Sequence, residues 1–188
     1  MKMDKLVFYR EWFPLPKQDF RILAMLADMG VFKGTLTEMC RYFSLSIQSS
    51  NRNRLKSSIE LLTEQGFIKS QKKGNTYQLE VVPKEKVITM EREWLHRIQS
   101  HDYTTESVAW EQVVKVLLWI ADNKEPVITN NDIVNDLGIS VSTIGYAKNV
   151  LEKEYDAISR RKVSEKIADG VYLTLGQELT ASAWWNSG

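Results

Sequence analysis

The chain holds one cysteine in 188 residues and only two histidines. A single cysteine, Cys40, excludes an intrachain disulfide framework and a cysteine-rich metal site. With His96 and His101 alone, neither H-x-H nor H-E-x-x-H occurs. G-x-x-x-x-G-K-[ST] and G-x-G-x-x-G are missing too, so no loop of those kinds cradles a phosphate. Long apolar runs are also absent. The longest, "VLLWIA" at 116–121, is far shorter than a bilayer requires. The opening "MKMDKLVFYREWF" lacks the apolar segment of a secretory signal. The expectations are a cytoplasmic location, no enzymatic activity, and no cofactor or metal.

What is present suits a packed protein. Hydrophobic residues make up 43% of the chain, with six Trp, seven Tyr and six Phe, so an ordered core can form. The net charge of +1 hides an asymmetry. Residues 1–82 carry 13 Lys and Arg against 8 Asp and Glu, and residues 83–188 carry 12 against 16. The first part is biased toward anions and the second is not.

Hydrophobic spacing divides the first half into helices. "QDFRILAMLADM" at 18–29 places Phe20, Leu23 and Ala27 on one face, with Leu26 beside them. Pro14 and Pro16 precede it and Gly30 follows, as start and stop signals. Thr35 and Glu38 have the spacing of a capping box. They open a short helix with Met39 and Phe43 on its buried face and Leu45 in the following turn. Cys40, beside Met39, reads as core. A third helix runs from about Asn51 to Gln65 on the stripe Leu55, Ile59, Leu62, and Gly66 ends it. "FIKSQ" and "TYQLEVV" then make a hairpin around "KKGN".

The second half repeats this order. "SVAWEQVVKVLLWIADN" is a helix over 107–122, and Thr129 with Asp132 forms a second capping box. Ile133, Leu137 and Ile139 match Met39, Phe43 and Leu45 at a constant offset of 94. The helix "VSTIGYAKNVLEKEY" turns Ile144, Ala147, Leu151 and Tyr155 inward. "AISRRKV" and "GVYLTL" are strands around "SEKIADG". The offset falls to 89 at the third helix, because the first copy has about five more residues, "SIQSS". They form an enlarged turn or an extra leading helical turn. The stretch 83–106 contains no Gly or Ser run and is helix-compatible over 84–99, which predicts a connector helix. "GQELTASAWWNSG" predicts a short terminal helix. Its Trp184 and Trp185 either cap the second core or form a dimer seam.

The turn segments "YFSLS" and "DLGIS", with the joints "LLTEQGFIK" and "EKEYDAISR", make both copies resemble the winged helix-turn-helix superfamily. The likeness covers about 150 of the 188 residues. It implies a mostly α protein with small β-hairpins (α+β), built as two winged-helix domains joined by a connector helix. The divisions are 1–82, an N-terminal winged-helix domain, 83–106, the connector, and 107–188, a C-terminal winged-helix domain with a terminal helix. Two such domains joined by a helix resemble plasmid replication initiators, and the first copy is similar to DNA-binding domains of replication and accessory proteins of bacterial mobile elements.

In that family the third helix enters the major groove, where base edges are legible. The side opposite the core stripe holds Ser50, Asn53 and Ser57, flanked by Arg54 and Lys56, with Asn51 and Arg52 at the leading end. Asn can bridge adenine, and Arg can bridge guanine or grip phosphate. Lys69, Lys72 and Lys73 put three cations on the wing. In the second copy the matching face is Ser142, Tyr146, Asn149 and Lys153, and the wing carries Arg160, Arg161, Lys162 and Lys166. Glu152, Glu154 and Asp156 lie near and repel phosphates, so the first copy is the expected reader. The resemblance implies a sequence-specific double-stranded DNA-binding protein in replication initiation or transcription regulation, with a homodimer or protein partner engaged through the C-terminal domain. The competing expectation is a tandem winged-helix protein-interaction scaffold with little direct DNA binding.

Overall fold

A computed structural model describes residues 4–181. The chain is mixed α+β, 47% helical and 28% strand, with seven α-helices and three small sheets among the described residues. In chain order these are β1 (Lys5–Tyr9), α1 (Lys17–Met29), β2 (Val31–Gly34), α2 (Leu36–Tyr42), α3 (Ser49–Glu64), β3 (Ile68–Lys73) and β4 (Thr76–Val81). Then follow β5 (Val87–Glu91), α4 (Arg92–Ser100), α5 (Trp110–Asp122), α6 (Asn130–Leu137), α7 (Val141–Asn149), β6 (Ile158–Ala168) and β7 (Val171–Ala181). Two compact units result: Pro16–Val87, and a discontinuous one that joins Met1–Leu15 to Ile88–Gly188.

The discontinuity departs from the boundaries expected at 82 and 106, and its cause is a set of pairings distant in sequence. β1 pairs with β5. Arg92 binds the Asp4 carboxylate at 2.7 Å, and the Arg92 amide donates to the Asp4 carbonyl at 3.0 Å. Arg10 reaches Asp122 at 2.9 Å, and the buried Lys115 ammonium donates to the Leu15 carbonyl. The expected connector helix is a strand over its first part. Ile88 and Met90 alternate inward in β5, a two-residue period that favours a strand. Helix begins only at Arg92, where Trp94, Leu95 and Ile98 are buried.

In the unit Pro16–Val87, α1 buries Phe20 and Leu23 as its spacing predicts, and also Ile22, Ala24, Met25 and Leu26. The capping box at α2 has both bonds at 3.2 Å, Glu38 amide to Thr35 Oγ1 and Thr35 amide to Glu38 Oε2. Met39 and Cys40 are buried, while Phe43 and Leu45 are half-buried. Leu55, Ile59 and Leu62 anchor α3 in the core. Each contributes about 1.5–3 kcal/mol by leaving water. Gly66, at φ 78°, ends the helix, with Phe67 N–H bonded to the Leu62 carbonyl and Gly66 N–H to that of Thr63. This is the Schellman arrangement. β2, which periodicity over four residues is too short to reveal, completes a sheet of order β2-β4-β3. Gly74 and Asn75 form the hairpin tip between Lys73 and Thr76, as "KKGN" predicts.

The discontinuous unit repeats this element order from α5 onward. Where the first unit has β2, a single bridge from Ile128 to Gln177 joins the sheet edge. The Thr129–Asp132 capping box forms, and Ile133, Leu137, Ile139, Ile144, Ala147 and Leu151 are buried. α7 continues into a π-helical turn, Val150–Glu154, and Asp156 takes a left-handed conformation (φ 49°) at the joint where the first unit has Gly66. Residues 43–48 connect α2 to α3, whereas 138–140 connect α6 to α7. The extra "SIQSS" residues are thus divided between a longer turn and an earlier helix start. The second hairpin is longer than predicted. "SEKIA" continues β6, and the turn is only Asp169–Gly170. Gln177–Ala181 belong to β7, which replaces the first part of the expected terminal helix. Trp184 and Trp185 lie outside the described residues.

Gly176 marks a close backbone approach in this unit. Its φ is 148°, and a Cβ there would sit 2.6 Å from the Ile128 carbonyl oxygen. Gly176→Ala is expected to break the Ile128–Gln177 bridge and cost about 1–3 kcal/mol. All six tryptophans, Trp12, Trp94, Trp110, Trp119, Trp184 and Trp185, lie in the sequence of this unit. A lowered midpoint of thermal unfolding followed by tryptophan emission checks the effect.

Candidate nucleic-acid interface

α3 is two-sided because its stripe repeats every three to four residues. Leu55, Ser58, Ile59 and Leu62 are buried. Ser50, Arg52, Asn53, Arg54, Lys56 and Ser57 are exposed on the other sides. Asn51 has a different job. Its amide donates to the carbonyl and hydroxyl oxygens of Ser46, both at 2.9 Å, and closes the long turn before the helix. Further along the outward face stand Glu60 and Glu64, also exposed. The helix is therefore cationic in its first turns and acidic at its end, so a polyanion can meet only its beginning.

The hairpin places its lysines on two faces. Lys72 is paired with Tyr77 and its ammonium lies 5.3 Å from that ring's centre. Lys69 and Lys73 are on the opposite face of β3, where Lys69 stands across from Glu80. Between the hairpin tip, α3 and the start of α2 lies a cleft of about 370 Å³. Thr35, Leu36 and Thr37 line it from α2, Arg52 and Lys56 from α3, and Lys72, Asn75 and Tyr77 from the hairpin. Arg52 and Lys72 have no ion-pair partner among the described residues, and neither do Arg54, Lys69 and Lys73. Lys56 has one distant partner, Glu60 at 3.9 Å, and both are half or more exposed, so the pair contributes little. Sequence reasoning found the cations and missed Thr35, Thr37 and Asn75. Their signals were the hydroxyls flanking the capping box and the amide at the hairpin tip.

The second unit answers the same pattern with internal pairing. Ser142 and Tyr146 are exposed on α7. Arg160, however, grips Glu152 through two bonds of 3.0 and 2.9 Å and donates to Asn149 Oδ1 at 2.9 Å. Arg161 does the same with Glu178 at 2.8 and 2.6 Å. The Arg160 guanidinium holds the Glu152 carboxyl below the usual carboxylate range, and Arg161 does so for Glu178. Lys162 is exposed and Lys166 pairs with Asp169 at 3.1 Å. Most of this hairpin's cations are neutralised by its own neighbours.

Lys148 is a buried charge of this unit, 3% exposed. Its ammonium donates to Asn130 Oδ1 at 2.6 Å and to Gln177 Oε1 at 2.9 Å, which ties α6 to β7. Burial, and secondarily the charge of Arg160, pushes its pKa down from 10.5 to about 8. The folded state thus releases this proton at lower pH than the unfolded chain does. Between pH 8 and 10.5 the unfolded state binds more protons, so stability rises with pH in that window. The expected gain is on the order of 1–2 kcal/mol. Denaturant titrations by tryptophan emission at pH 7.5 and 9.5 check it, because Lys148→Met removes the pH dependence.

Compared with protein-family models, curated proteins and solved structures, the chain matches none. Among the described residues no helix is long and apolar enough to cross a membrane, and no group of three His, Cys, Asp or Glu could hold a metal.

Proposed function

We propose that both units are winged helix-turn-helix folds and that Pro16–Val87 binds double-stranded DNA sequence-specifically. α3 enters the major groove with its first turns, and the β3–β4 hairpin lies on the backbone as the wing. The helix, helix, helix, hairpin order and the β2-β4-β3 sheet support the fold reading. One observation carries the functional reading: Arg52, Lys56 and Lys72, from two separate elements, converge on one open cleft. Cations gathered without internal carboxylate partners in that cleft, save the weak Lys56 pair, suit phosphate oxygens. Asn53, Ser57 and Arg54 then face base edges, where each good bidentate contact discriminates by about 1–3 kcal/mol. The role is in replication initiation, accessory functions or transcription control of a bacterial mobile element.

The ion-paired arginines of the second unit favour a different task there, contact with protein rather than DNA. The test is selection of the full chain against a random duplex library, followed by salt titration of the enriched sequence. Enrichment of a defined site is expected, with log K falling by about 0.9 per log unit of salt for each phosphate neutralised. No enrichment and no salt dependence would leave the protein-interaction scaffold as the better reading.

A further inference from the structure

The turn into α3 carries an apolar side chain that the fold does not use. Residues 46–54, "SIQSSNRNR", contain one apolar residue, Ile47, and it is 47% exposed. An apolar residue just before a helix N-cap often packs against an apolar residue at the fourth helical position. The second unit has that arrangement. Its α7 is capped by Ser140, and Ile139 and Ile144 are both buried. In the first unit Gln48 is the N-cap of α3, so the matching positions hold Ile47 and Arg52. Arg52 is exposed and lines the cationic cleft. Ile47 therefore lacks the apolar partner that would draw it into the core. It also belongs to the inserted "SIQSS" and has no counterpart in the second unit. Leu45, half-buried, is the residue that matches Ile139 at the offset of 94. The turn that carries Ile47 is tied down. Gln48 N–H donates to the Ser46 carbonyl at 2.9 Å, which puts Ile47 at the apex of a three-residue turn. The Asn51 amide donates to the same carbonyl at 2.9 Å. Isoleucine is itself stiff at χ1.

We propose that Ile47 contacts the 5-methyl group of a thymine in the major groove and is a specificity-determining residue of the interface. The inference rests on the duplex reading of Pro16–Val87, which sends the leading end of α3 into that groove. The ligand group follows from chemistry. Base edges in the major groove offer hydrogen-bond donors and acceptors, and the apolar feature of that code is the thymine methyl. Asn53, Arg54 and Ser57 suit the donors and acceptors. Among residues 46–54, Ile47 alone suits the methyl. Its ordered turn means that little freedom is lost on contact.

The test uses the full chain and the duplex it enriches from a random library. Each thymine of that duplex is replaced in turn by deoxyuridine, which pairs identically and lacks only the methyl. At one position the replacement is expected to weaken wild-type binding by about three- to fivefold, the worth of one methyl taken out of water. I47A is expected to bind the thymine duplex more weakly by a similar factor and to bind the thymine and uracil duplexes equally. I47V is expected to keep part of the preference. Ile47 is exposed, so I47A is expected to unfold at the wild-type temperature. A purely structural role would weaken both duplexes alike and leave the methyl preference in place, which would overturn the proposal. So would a wild-type chain that binds every uracil duplex as tightly as the thymine one. Failure to enrich any duplex would remove the duplex reading itself and this inference with it.

Discussion

Replacing Arg52 and Lys72 together by Glu is expected to abolish specific duplex binding, lowering affinity by about 100-fold or more at moderate salt. The two side chains come from α3 and from the hairpin and line the same cleft. Each substitution removes a phosphate contact and adds a charge that repels the backbone. The slope of log K against log salt is expected to fall by about two, since it counts neutralised phosphates at roughly 0.9 each. Both positions are exposed, so stability changes by less than about 0.5 kcal/mol. Arg161→Ala in the other unit is the control. Glu178 already occupies that guanidinium, and duplex affinity is expected to stay nearly unchanged. Equal losses from the control and the double variant would show that a diffuse charge effect, not the cleft, governs binding.

Leu55→Ala is expected to destabilise the unit Pro16–Val87 by about 2–5 kcal/mol. Leu55 is 1% exposed and lies in the same turns of α3 as Arg52, Arg54 and Lys56. Its loss leaves a cavity under the cationic end of the helix, next to the turn that the Asn51–Ser46 bonds close. The two units can be followed separately, because residues 16–87 contain no tryptophan. The midpoint of unfolding by far-ultraviolet circular dichroism is expected to fall for part of the helical signal, while the tryptophan transition stays in place. A tryptophan transition that moves equally would show that the units unfold as one. An unchanged dichroism profile would show that Leu55 does not anchor the helix.

Local signals carried much of the architecture. The Thr35–Glu38 and Thr129–Asp132 capping boxes, the stripe Leu55–Ile59–Leu62 and the terminating Gly66 are each written within one turn or two, and their partners are near in sequence. The repeat was legible for the same reason, since Met39 and Ile133 or Leu55 and Ile144 recur at fixed offsets. The short strand β2 and the alternation of Ile88 and Met90 were missed, because a strand of four or five residues offers too few periods to stand out from a loop or a helix. The hairpin of the second unit was drawn too short, because Ser164–Ala168 pair only by virtue of the strand opposite them.

The candidate site divides along the same line. Sequence by itself determined which residues are apolar at helical spacing, which segments start and stop helices, and that residues 51–57 and 69–73 are cationic and polar, because these depend on neighbours a few residues away. Tertiary structure alone decided that residues 1–15 join residues 88–188. It also decided that Arg52, Lys56 and Lys72 share one cleft with Thr35, and that Arg160 and Arg161 spend their charge on Glu152 and Glu178. Whether a cation is available or already paired depends on which carboxylate lies within about 4 Å. That distance is set by the packing of segments far apart in the chain, and periodicity holds no record of it.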